Sequence, residues 1–249
     1  MPLLSRYHPG NYTEDQYNIE KRIGLHSLFV SVGLIVFLWL IKLVEFEYGL
    51  DFSGWGVFPR EITGLRGIVF SPFIHANFEH LAANTFPLLI LTFSLFFFYR
   101  KSAYIILILI FLLSGLFVWL GGREAMHIGA SGIIYGLAAF LFLSGVISYN
   151  IRLLTISLIV ALLYGGLIWG IFPVKPEISW ESHLWGGVSG FLIAWLFRHS
   201  APPKPEEEED NEEDIIWQEE DIDQDEEEIA RQEGMKSETN QPSDFSSKH

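Results

Sequence analysis

Six apolar runs constrain this chain more than anything else in it. They cover about residues 27–44, 81–99, 104–120, 131–149, 153–172 and 183–197. A helix needs roughly 20 apolar residues, at about 1.5 Å each, to cross the hydrocarbon of a bilayer. Each run is of that order. Half of the 249 residues are hydrophobic and 15% are aromatic, too apolar a balance for one soluble domain. The pattern predicts an all-α membrane protein with six transmembrane helices, both termini on one side. No cleavable signal peptide is expected, because the first 26 residues are polar and the run that follows is long enough to be a span.

The net charge of −14 is not spread evenly. From Ala201 onward lie 19 of the 30 acidic residues but only 4 of the 16 basic ones, so the first 200 residues are near neutral. Pro202-Pro203-Lys204-Pro205 breaks any helix, and the acidic clusters beyond it cannot bury enough apolar surface to offset their ordering entropy. The expected domains are therefore a cytoplasmic N-terminal segment (1–26), a six-helix membrane domain (27–199) and a disordered acidic tail (200–249). Ile215, Ile216 and Trp217 interrupt the tail, either as a short docking motif or as isolated apolar residues in a solvated segment.

Basic residues orient the bundle. Arg6, Lys21, Arg22, Arg100, Lys101, Arg152, Arg198 and Lys204 fall on the side of the termini; Arg60, Arg66, Arg123 and Lys175 fall on the other. The positive-inside rule then places both termini in the cytoplasm of a cell (inner) membrane. The longest connection, residues 45–80, is rich in Gly, Pro and aromatics and is expected to be a folded, partly embedded segment on the outer face. An ordered interfacial loop and a substrate-contacting flange are both compatible with it.

Given this topology, polar residues from three segments converge at one depth. Ser131 opens the fourth run, His183 the sixth, and His80 with Asn84 the second, all at the outer end. His80 and Asn84, four apart, share a helix face, as do Ser131 and Tyr135. Gly132 with Gly136, and Gly186 with Gly190, form two small-xxx-small faces that let the fourth and sixth helices approach closely. Close approach is what a hydrogen bond from Ser131 to His183 requires. A serine hydroxyl is a poor nucleophile until a neighbouring base takes its proton, and a neutral imidazole is such a base. No carboxylate lies in any of the six runs, so a third, orienting acid would have to come from Glu177 or Glu181. The Ser131 backbone N–H, near a helix N-terminus, and the side chains of Asn84 and His80 are donors for a developing oxyanion. The alternative role for His80 and Asn84 is interhelical hydrogen bonding.

Gly129-Ala130-Ser131-Gly132, followed by Tyr135, resembles the GxSG motif of rhomboid intramembrane serine proteases. His183-x-x-Gly186-x-x-x-Gly190 resembles their sixth-helix motif and His80-x-x-x-Asn84 their second-helix pair. The resemblance implies a rhomboid-like six-helix bundle with a water-filled cavity open to the outer face. It implies cleavage of transmembrane protein substrates through an acyl-enzyme on Ser131. His183 is then the general base, and His80, Asn84 and the Ser131 backbone stabilise the oxyanion. Tyr135, Gly129, Gly132, Gly136, Gly186 and Gly190 support the site. Two family features depart from the pattern: the Trp-Arg pair of the first loop has only Leu65-Arg66 as counterpart, and no Glu-x-Arg follows the second run near Tyr99-Arg100-Lys101.

No cofactor is expected. Cysteine is absent, which excludes a disulfide framework and thiolate zinc sites, and the histidines lack HExxH spacing, so no metal site is expected. His75 is read as a loop residue at the membrane surface, and His127 as packing or capping the loop before the fourth helix, with contact to substrate as the alternative. Trp185 is expected among the lipid-facing or interfacial aromatics. The segment 173–182 is a plausible gate beside the site. The expected partners are transmembrane substrates and the lipid bilayer; nothing resembles a nucleic-acid patch. Two other readings are an inactive rhomboid-like protein that binds membrane clients and a small transporter built on buried His, Ser and Asn.

Overall fold

A computed structural model describes residues 14–163, 172 and 179–200. Seven α-helices are found among them: α1 (Glu14–Glu47), the short α2 (Gly67–Phe70), α3 (Phe78–Phe98), α4 (Ala103–Gly121), α5 (Ser131–Ser148), α6 (Ile151–Leu163) and α7 (Trp180–Leu196). The described residues contain no strand, only an isolated antiparallel bridge between Val57 and His127. α1, α3, α4 and α5 are long and apolar enough to cross a membrane. α6 and α7, at 13 and 17 residues, are apolar but shorter. The end expected for the fifth run, and the acidic tail, lie outside the described residues.

The first helix differs from the expected 27–44. It begins at Glu14, because Glu20, Lys21 and Arg22 are good helix formers and carry the helix past the end of the apolar run. The share of buried residues ranks the four spans: 17% in α1, 28% in α4, 50% in α3 and 56% in α5. α5 is therefore the central helix and α1 the outermost of these. Leu137, Phe140 and Leu141 of α5 are fully buried, while Phe29 of α1 and Leu162 of α6 are largely exposed. Exposed apolar side chains on this scale are at home in hydrocarbon rather than water. Several hydroxyls inside the helices satisfy themselves locally: Ser94 donates to the Ile90 carbonyl and Ser189 to that of Trp185, four residues back.

The long connection from α1 to α3 is folded. Three 3-10 turns (Ser53–Trp55, Ile62–Arg66, Ser71–Phe73) and α2 build it. Its anchors come from several helix ends at one end of the bundle. The Phe52 N–H donates to Glu45 of α1, the Arg60 guanidinium to the Gly122 carbonyl beyond α4, and Val57 and His127 exchange both backbone hydrogen bonds. Arg66 lies 4.9 Å over the Trp55 ring, which also meets Phe70 edge-on. A tryptophan–arginine contact is thus present in this loop, across a turn rather than between chain neighbours.

α5 and α7 meet backbone to backbone. A Cβ on Gly186 would lie 2.1 Å from the Gly132 carbonyl oxygen, and one on Gly190 would lie 2.0 Å from that of Gly136. Neither carbonyl can yield without breaking its helix. Trp185, expected as a lipid-facing or interfacial residue, is partly exposed and packs on α4, with its ring against Gly121 and 5.8 Å from Phe117. Gly121 leaves the room that admits an indole there. Gly187, by contrast, has nothing within 4 Å of an added Cβ. Gly190→Val is therefore expected to lower stability by about 1–3 kcal/mol through overpacking. Gly187→Ala is expected to be neutral or to stabilise by up to about 1 kcal/mol. Unfolding in mixed micelles checks the pair, and equal effects of the two would refute the contact.

Candidate active site

Local chemistry sets where each side chain of the constellation stands. Asn77, extended at the N-cap of α3, accepts a hydrogen bond from the His80 N–H at 2.7 Å. That fixes the start of α3 and puts His80 and Asn84 on one face. α5 begins at Ser131, directly after Gly129, whose φ of +108° favours glycine. A side chain at Gly129 would also collide with the His80 ring, its Cβ 2.8 Å from Cε1, and would sit 3.9 Å from Asn84 Nδ2. Gly129 thus allows the turn and brings the backbone before Ser131 onto His80 and Asn84.

α7 presents the other half. Gly132 and Ser182, the chain neighbours of Ser131 and His183, face each other: a Cβ on Gly132 would stand 3.2 Å from the Ser182 carbonyl oxygen. The rings of Tyr135 and His183 lie parallel, 4.2 Å between centroids and 6° between planes. Such a contact contributes about 0.5–1.5 kcal/mol beyond its area. Ser131 and His183 are both buried. The fold therefore brings the Tyr135 and His183 rings together and sets the turn before Ser131 against His80 and Asn84.

The donors beside Ser131 can be followed one by one. The Gly129 N–H donates to the Ser71 carbonyl at 2.9 Å, and the Ala130 N–H points to His75 Nε2 at 3.4 Å. The Ser131 N–H belongs to the first turn of α5 and has no intrahelical acceptor. Asn84 Nδ2 is buried and has no hydrogen-bond partner among the described residues. Leaving a buried amide unpaired costs about 1–3 kcal/mol, so such a donor in a site calls for an acceptor that arrives later. A cavity of about 20 Å³, lined by Ser114, His127, Gly129, Gly132 and Ser182 among others, lies beside the Gly129 turn and is large enough for a water.

Three residues carry roles that the sequence alone missed. Lys42, near the C-terminal end of α1, donates to Glu45 and to the carbonyls of His75 and Ala76. It pins the chain leading into α3, and a cation inside an apolar run was the available signal. His75 is a loop residue as expected, but it is buried within the protein, 5.2 Å from the His80 ring and under the turn before Ser131. Glu181 is buried in the first turn of α7 with Oε1 3.5 Å from Arg123 Nε. It stands two residues before His183, which on a helix is another face. Glu181 is accordingly paired with Arg123 and not placed as an orienting acid; Glu177 lies outside the described residues. Of the proposed gate, 173–178 also lie outside them, while Ser179 and Ser182 are hydrogen-bonded to each other.

Burial, reinforced by neighbouring His80, pushes His75 down to about 3. Burial likewise lowers His127 below its ordinary value. For His75, the unfolded chain binds a proton near 6.5 that the folded chain refuses until about 3. Its contribution is thus fully present above 6.5 and is lost as pH falls through that window. The thermal midpoint in micelles is expected to drop between pH 7 and pH 4, and to drop less in His75→Gln, where the amide oxygen can still accept from Ala130. Parallel declines in parent and variant would show that His75 is not one of the groups responsible.

The rhomboid domain family matches residues 63–200. An uncharacterized protein of Mycobacterium tuberculosis (strain ATCC 25618 / H37Rv) is 36% identical over 191 residues, covering 73% of this chain and 78% of its own. An uncharacterized protein of Mycobacterium leprae (strain TN) is 33% identical over 202 residues, covering 74% and 77%. A protein of Acanthamoeba polyphaga mimivirus whose name contains the word rhomboid is 30% identical over 132 residues, covering 50% and 71%. No solved structure gives a significant match.

Proposed function

The chain belongs to the rhomboid family and is an integral membrane protein, and from that premise we propose that it is an intramembrane serine endopeptidase working through Ser131 and His183. The observation that supports this most is the parallel stack of Tyr135 on His183, one helical turn from Ser131, where α5 and α7 touch at Gly132. In this reading His183 takes the proton of the Ser131 hydroxyl as Oγ attacks the scissile carbonyl. The Ser131 N–H, the Asn84 amide and the His80 ring receive the oxyanion. His183 then gives its proton to the leaving amine, and an acyl-enzyme ester forms on Ser131. A water, deprotonated by His183, attacks that ester and releases the acid product and the serine.

The same proposal takes the chain as six-spanning, with a membrane domain at 27–199, both termini cytoplasmic, the tail at 200–249 outside the bilayer, and the site near the outer face of the cell membrane. A helical substrate hides its carbonyls in hydrogen bonds, so the bonds cut are expected near Gly, Ala or other helix-weakening residues at the outer end of a span.

Cleavage of a transmembrane reporter in proteoliposomes tests the reading. The parent is expected to cut, and Ser131→Ala and His183→Ala to fall by roughly 10⁴-fold or more, as residues acting as a unit do. Asn84→Ala is expected to lose about 10²–10³ in kcat, the effect of one oxyanion donor. A fluorophosphonate should label the parent on Ser131. Cleavage that survived Ser131→Ala would sink the assignment, and absence of both cleavage and labelling would favour a client-binding protein.

A further inference from the structure

His127 and the first turn of α7 are joined by hydrogen bonds whose direction can be derived. His127 Nε2 lies 3.0 Å from the Arg123 carbonyl, which can only accept, so Nε2 carries the ring proton. Nδ1 then offers its lone pair, and the Ser179 hydroxyl, 2.5 Å away, donates to it. With its proton committed, Ser179 Oγ accepts from the Ser182 hydroxyl at 2.6 Å and from the Ser182 N–H at 3.3 Å. The chain runs one way: Ser182 to Ser179 to His127 to the Arg123 carbonyl. All four residues lie at the head of α7 or in the loop before α5.

Each end of this chain is anchored. His127 is held through both main-chain hydrogen bonds to Val57 in the long folded loop. Ser179 is the N-cap of α7, and Ser182 precedes His183 while its carbonyl packs on Gly132, the residue after Ser131. The Arg123–Glu181 pair makes a second tie between the same two segments. Any slip of the first turn of α7 would carry His183 past Ser131.

We propose that His127, acting through Ser179, is a positioning residue that sets the depth and rotation of His183 against Ser131. The inference rests on the Ser131/His183 reading given above. His127 touches neither substrate nor reacting atoms in it. The neutral ring, which burial favours, is the form that accepts from Ser179. A misplacement of the base by about 1 Å is enough to cost roughly 10²-fold in rate, so one lost hydrogen bond at this point has leverage.

The test uses the full chain in proteoliposomes, with Ser179→Ala, Ser179→Thr and His127→Gln beside the parent. Reporter kcat and KM are measured, together with amide hydrogen exchange over residues 182–186. Ser179→Ala is expected to lower kcat by roughly tenfold to a hundredfold with KM unchanged, and to speed exchange in those amides. Ser179→Thr keeps the hydroxyl and should restore both. His127→Gln should resemble Ser179→Ala in both readouts, and guards against a single variant that fails to fold. Parental kcat in Ser179→Ala and His127→Gln, in a preparation that depends on Ser131 and His183, would overturn the proposal and leave the protease reading intact. Faster exchange with unchanged kcat would also overturn it, reducing the chain to a structural tie. A parent that neither cleaves nor takes the probe would instead refute the protease reading, and the positioning role with it.

Discussion

Everything at the site depends on the backbones of α5 and α7 being able to touch. Gly186 against Gly132 and Gly190 against Gly136 leave no space for a side chain between the two helices. In lipid no hydrophobic force drives helices together, so van der Waals contact at close range has to supply the association. The consequence is local. Once the axes are that close, the first residues of both helices share a level, and a ring on one can lie flat on a ring of the other, as Tyr135 does on His183. Bulkier residues at the glycine positions would push the two helices apart and disturb that stack.

Polar groups collected at one end of an apolar bundle are costly unless each is assigned a partner. Lys42 is shared among Glu45 and two carbonyls, Arg60 reaches Gly122, His127 joins Arg123 and Ser179, and His75 takes the Ala130 N–H. Among the described residues Asn84 Nδ2 is left without a hydrogen-bond partner, as are His75 Nδ1 and both carboxylate oxygens of Glu181. The long loop supplies much of this pairing: it brings Ser71, Val57 and His75 to the turn before Ser131. Its role is thus to brace the turn that presents the serine, beyond covering the end of the helices.

The helices were legible because lipid admits few solutions. Run length marked α3, α4 and α5 closely, and the i to i+4 spacings of His80 with Asn84 and Ser131 with Tyr135 could be read directly. The start of α1 could not, since Glu20 to Arg22 are polar yet helix-forming and hydropathy sees only the first property. Nor could the contacts that join distant segments. Ala130 and His75 are 55 residues apart and His127 and Ser179 are 52 apart, beyond any periodic signal. His75 illustrates the error: a histidine in a loop suggests water, but this loop folds back over the bundle and buries it. Arg66 illustrates a second kind. Its tryptophan is Trp55, found by a turn in space and invisible to a search for adjacent residues.

The position of Glu181 bears on why a serine and a histidine can be held here without an adjacent carboxylate from that helix. At two residues before His183 it is about 200° around α7, given 3.6 residues per turn. Its charge goes to Arg123 instead. A carboxylate against the imidazole would add a second ion to desolvate in a buried site, and buried pairs often fail to recover that cost. The stack on Tyr135 restrains the plane of the ring without adding charge, and the glycine contacts fix how far the ring stands from α5. What remains free is sliding of α7 along its axis, and it is there that the hydrogen bonds of Ser179 and the ion pair of Glu181 act. Orientation and depth are thus set by separate devices, one apolar beneath the imidazole and one polar at the helix end.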